Sequence, residues 1–64
     1  MTRTAEQNAN DLEIARMRMD QARDKLCDAV IAGNEAEMTR LEKVHAAAIA
    51  DYRDLQAERR ALAA

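Results

Sequence analysis

Only one dipeptide in this chain invites a helix to stop. Gly33 is its single glycine and proline is absent, so Gly33-Asn34 separates two arms of about thirty residues each. Both arms are dense in Ala, Leu, Met, Arg and Glu, side chains that lose little rotamer freedom in a helix. Glycine accepts the left-handed conformation that closes one helix, and Asn34 can cap the next through the amide of Glu37. The Asn34-x-x-Glu37 spacing also lets the glutamate reach back to the Asn34 amide in a capping box. The expected fold is all-α, an antiparallel helical hairpin in one domain over 1–64. It has a first helix over 4–32, a turn at 33–34 and a second helix over 35–62.

The first helix has two candidate starts. Thr4 with Gln7 and Asn10 with Glu13 both have capping-box spacing, and Thr4 is the one expected. Apolar positions then recur by threes and fours at Ala5, Leu12, Ala15, Met19, Ala22, Leu26 and Ala29. The second arm repeats the stripe at Met38, Leu41, His45, Ala48, Tyr52, Leu55 and Leu62, with Arg59 between the last two. Such coiled-coil-like stripes mark the packed sides of bundle helices.

Folding the arms about the hinge tests the pattern, because antiparallel neighbours have residue numbers with a constant sum. At a sum of 67 the pairs are Ala29–Met38, Leu26–Leu41, Ala22–His45, Met19–Ala48, Ala15–Tyr52 and Leu12–Leu55. Four of these six set a small residue against a large one, which lets layers interdigitate. The same register brings Asn8 to Arg59 and Ala5 to Leu62.

Two helices at ~1.5 Å per residue make a rod roughly 40 Å long, with one buried stripe apiece. Val30, Val44 and Ile49 flank those stripes and exceed what one neighbouring helix can cover. A chain of 64 residues without a disulfide framework or metal cluster is also short of core. Association of two hairpins into a homodimeric four-helix bundle is therefore expected, with Leu12, Ala15, Met19, Ala22, Leu26, Met38, Leu41, His45, Ala48, Tyr52 and Leu55 forming the hairpin and dimer core. In length and topology the chain resembles the repressor-of-primer family of plasmid proteins, dimers of short helical hairpins. That resemblance implies an RNA-binding regulator. It rests on no shared motif and assigns no residue.

Charge and composition exclude several classes. Ten basic and 12 acidic residues give a net charge of −2, split evenly between the arms, so neither arm is a polyanion-binding tail. No apolar run approaches the ~20 residues of a membrane span, and no signal-peptide pattern is present. With one cysteine, the expected compartment is the cytoplasm. Serine is absent, and Cys27 and His45 fall far apart in the register, so no nucleophile and base are brought together. Asp20, Asp24 and Asp28 lie one turn apart on a smooth helix that has no cleft to shift their pKa values. Glu42-x-x-His45 has the spacing of a bundle metal motif, but Ala22 faces His45 and supplies no inward acid. His45 reads as a core-edge histidine with a hydrogen-bond partner, and Cys27 as a small, partly buried hydrophobe. No enzyme activity, cofactor or metal is expected.

What remains is surface. Ile14 and Met17 fall off the core stripe, on the back of the first helix, with Arg18 and Gln21 among their polar surroundings. An adaptable apolar pair with a charged rim suits docking of a protein partner, and these four residues are the expected contact. Ala46, Ala50, Ala57 and Ala61 form a small-residue line on the second helix, also off its core side. The competing reading is a nucleic-acid surface made of Arg16, Arg18, Arg23 and Lys25, which flank the first stripe on both sides. The function expected is that of a non-catalytic regulatory protein, of phage or plasmid type, that inhibits or adapts another protein. The alternatives are a repressor-of-primer-like RNA-binding regulator and a structural subunit of a larger assembly.

Overall fold

The structure, a computed structural model, describes residues 3–63. It contains two α-helices, α1 over Ala5–Ala32 and α2 over Glu35–Ala63, packed against each other along their length as an antiparallel hairpin. Thr4 caps α1 from an extended backbone conformation. Its hydroxyl oxygen accepts from the Gln7 amide at 3.1 Å, and the Gln7 side chain accepts from the Thr4 amide at 3.0 Å. Both halves of the capping box are closed there.

At the hinge Gly33 has φ +69°, the left-handed conformation that ends α1. Its amide donates to Val30 O at 3.1 Å, and the Asn34 amide donates to Ala29 O at 3.0 Å. Together these bonds form a Schellman closure that satisfies carbonyls otherwise orphaned at the helix end. Asn34 Oδ1 then accepts from the Glu37 amide at 3.2 Å and starts α2. The reciprocal half of this second capping box does not form. The Asn34 amide is already taken by Ala29, and the Glu37 carboxylate holds Arg40 in a fork of 2.9 and 2.8 Å. A bidentate, charge-assisted pair outcompetes one bond to an occupied amide.

The buried apolar residues are Leu12, Ala15, Ala22, Ala29, Leu41 and Leu55, all on the facing stripes. Leu12, Ala15 and Leu55 cluster with Tyr52 packed against them, so the Leu12–Leu55 and Ala15–Tyr52 register is realised. Met19, Leu26, Met38, His45, Ala48 and Tyr52 are half-buried along the same seam.

At the open end the seam departs from the simple register. Ala5 is exposed, whereas Asn8 is only 1 % exposed and donates through Nδ2 to Leu55 O at 3.0 Å. Asn8 thus reaches one turn short of Arg59, its expected neighbour. A straight helix gains on a stripe of strict threes and fours, so the contact line rotates off Ala5 by the last turn.

The molecule measures 46 × 17 × 14 Å, with a radius of gyration of 14.4 Å. A compact chain of this length would have a radius near 11 Å. Its surface of 5050 Å² compares with about 4,100 Å² for a compact monomer of this mass, an excess of roughly 900 Å².

Candidate interaction surface

Two long faces flank the α1–α2 seam, and helical spacing together with the hairpin's handedness decides what each one carries. On the first, Ile14, Arg18, Gln21 and Lys25 form a row along α1, while Arg40, Val44, Ala47 and Asp51 form a row along α2. A groove of about 480 Å³ runs between these rows, bounded by Arg18, Gln21, Lys25, Val44 and Asp51. It adjoins a smaller one of about 230 Å³ bounded by Arg3, Asp11, Ile14 and Asp51. We call this the Arg18 face. On the opposite, Arg16 face, a groove of about 540 Å³ gathers Arg16, Tyr52, Gln56, Arg59 and Arg60, with Glu13 at its edge.

The ion pairs divide unevenly between the faces. Arg3 Nε lies 2.7 Å from Asp11 and its Nη1 2.9 Å from Glu58, and Arg40 holds Glu37. Asp11, Glu37, Arg40 and Glu58 fall on the Arg18 side by helical spacing, and Arg3, ahead of α1, reaches the same side through its two ion pairs. Arg40 holds the Glu37 carboxyl below its ordinary value through the forked hydrogen bond, and Glu37 raises the Arg40 guanidinium in turn. Among the described residues, no ion pair forms on the Arg16 face.

No family model, curated protein or solved structure matches this chain.

Of the four residues expected at a protein-docking site, Ile14, Arg18 and Gln21 border adjoining grooves of the Arg18 face. Ile14 is 47 % exposed and sits at the groove edge beside Ala15, Leu55 and Asp51, on the flank of α1 and not on its back as expected. Met17, 56 % exposed, stands one step further round the helix and borders none of these grooves. The four cations proposed for nucleic acid do not converge. Arg18 and Lys25 border the Arg18 face, whereas Arg16 lies on the other, with Arg23 seven residues further along its row.

Two further expectations change. Cys27 is exposed, because Leu26 and Ala29 take the inward positions on that turn. His45 is half-buried, yet it makes no side-chain hydrogen bond with the other described residues. No group of three His, Cys, Asp or Glu among the described residues is placed to hold a metal ion, and no helix is long and apolar enough to cross a membrane.

Sequence reasoning missed three features. Ile31 is 85 % exposed beside the hinge, and with the half-exposed Val30 it forms an apolar tip. The register places Asn8 on the seam but does not show its depth: among the described residues it is the most deeply buried side chain. Arg59 and Arg60 meet Arg16 across the seam. That grouping depends on which flank of α2 the turn brings round, and residue spacing does not encode it.

Proposed function

We propose that this hairpin is a non-catalytic interaction protein that works as a homodimer and docks another protein through the Arg18 face. The observation that carries this reading is the imbalance of apolar surface. Among the described residues six small or medium apolar side chains are buried, three of them alanine, while Ile14, Met17, Val30, Ile31 and Val44 are each about half exposed or more. An interior of that size gives little stabilisation to a chain of 64 residues, and the exposed apolar side chains are what association would cover. On the Arg18 face Ile14 and Val44 stand among Arg18, Gln21, Lys25 and Asp51, an apolar centre with a charged rim. Occupying a partner's surface in this way suits a regulator, whether it inhibits or adapts.

The nucleic-acid reading keeps one supporting observation, the approach of Arg16, Arg59 and Arg60 to Tyr52 in one groove. Retention by tagged protein from the native host at about 0.15 M and about 1 M salt separates the two, because phosphate contacts weaken steeply with salt. The docking reading expects a protein that is held at both salts and lost by a folded Ile14→Asp, Val44→Asp double variant. Retention of RNA alone, released by salt and insensitive to those substitutions, would overturn it.

A further inference from the structure

The outer edge of α2 on the Arg16 face carries a charge pattern with a symmetry of its own. Stepping along that edge by threes, fours and sevens, the residues are Glu35, Glu42, Ala46, Ile49, Arg53 and Arg60. Its hinge end is acidic, its middle apolar and its open end basic. All six are exposed or half-buried, and none of the four charges is paired among the described residues. None has an acid or base of opposite sign three or four residues away within the described part of α2, apart from His45 beside Glu42. Glu37 and Arg40 show that such a local pair forms readily in this helix when the spacing permits it.

We infer that this edge is the homodimer seam, and that a second copy of the chain lies on it with its α2 antiparallel. Residue numbers across such a seam again have a constant sum. At 95, Glu35 meets Arg60 of the second copy, Glu42 meets Arg53, and Ala46 meets Ile49. The two-fold axis makes every contact occur twice, so four opposite-charge pairs enclose two alanine–isoleucine contacts. Alanine at position 46 gives the isoleucine of the other copy room to approach.

Placement and area agree with this register. Its centre falls between Ala47 and Ala48, while α2 runs over Glu35–Ala63 and has its midpoint at Ile49. Two rods therefore overlap over nearly their whole length instead of meeting at their ends. The surface excess of roughly 900 Å² is close to the ~800 Å² that each partner contributes to a stable interface. The same two-fold places α1 against α1 at a sum of 39, which sets Arg16 opposite Arg23 of the second copy, with Asp20 one turn from each cation on its own helix to offset their repulsion. On the other face Arg40 is engaged with Glu37 and Arg3 with Asp11 and Glu58, while Arg18, Lys25 and Asp51 form no ion pair among the described residues. This inference rests on the dimeric part of the proposed function and is independent of what the Arg18 face binds.

The test uses two variants of the full chain. Glu35→Arg with Glu42→Arg makes the edge wholly basic, and Arg53→Glu with Arg60→Glu makes it wholly acidic. Each alone sets four like-charge contacts across the seam and is expected to weaken self-association on the order of a hundredfold, measured by sedimentation equilibrium at low salt. Mixed one to one they regain every pair in the same register, so a heterodimer is expected, with recovery of helical circular dichroism if the separate variants unfold. Variants that remain dimeric alone, a mixture that does not associate, or a monomeric unsubstituted chain would each overturn the inference. None of those results bears on docking at Ile14, so failure of the seam and failure of the docking site are distinguishable.

Discussion

Replacing Asn8 by leucine should make this protein more stable. Asn8 is 1 % exposed, and its Nδ2 donates to Leu55 O at 3.0 Å, but its Oδ1 is buried without a partner. An unsatisfied buried acceptor costs about 1–3 kcal/mol, and a neutral hydrogen bond contributes about 1 kcal/mol. Leucine has the same branched shape, removes the orphaned oxygen, and adds the ~1.5–3 kcal/mol of a buried aliphatic side chain. Leu55 O gives up only the extra bond from Asn8, because the backbone of α2 continues past it to Ala63. The balance favours Asn8→Leu by about 2 kcal/mol after allowance for the larger side chain. In a chain this short that corresponds to a rise in Tm on the order of 10 °C. Asn8→Ala loses the bond and gains no packing, so it should be neutral or destabilising. Thermal melts by circular dichroism, at equal protein concentration, measure both. A destabilised Asn8→Leu would refute the reasoning, and would mean that Oδ1 has a partner in the associated state.

Other outcomes follow from the hinge and from the Glu37–Arg40 pair. A Cβ at Gly33 meets nothing within 4 Å, so Gly33→Ala costs only the left-handed backbone, about 1 kcal/mol by denaturant titration. Asn34→Ala loses the cap on the Glu37 amide at a similar cost, and unchanged stability in both variants would move the turn elsewhere. Because folding lowers the Glu37 pKa from its ordinary 4.5, the contribution of its pair with Arg40 is present above that value. It fades as pH falls through the lower, folded value. An NMR titration of the Glu37 carboxyl should show the depressed midpoint, and Arg40→Ala should restore the ordinary one.

The parts of the fold that were legible in the sequence are those fixed by local chemistry. Gly33 and Asn34 close one helix and open the next through bonds within a few residues, and Thr4 with Gln7 does the same at the start of α1. The core stripe was legible because helical spacing decides which side chains share a side, and Leu12 and Leu55 duly lie together. Spacing does not fix the hand of the turn. Ile14 lies on a flank of α1, and the hand of the turn is what sets Asp51 opposite it and leaves Arg59 to the other flank. The same cause hid the convergence of Arg16 with Arg59 and Arg60. The register puts Asn8 on the seam but opposite Arg59, because spacing alone does not show that its amide reaches Leu55 O, and the Glu37 carboxylate goes to Arg40 because two partners compete for it.

The claim that this hairpin is completed by association is tested most directly by its melting temperature as a function of its own concentration, with solution mass determined on the same samples. Mass action stabilises a folded dimer by RT ln of concentration, so a hundredfold dilution removes about 2.7 kcal/mol per dimer. The account predicts a dimeric mass at high concentration and a Tm that falls by several degrees across that range. A monomeric mass with a Tm that does not move would contradict it.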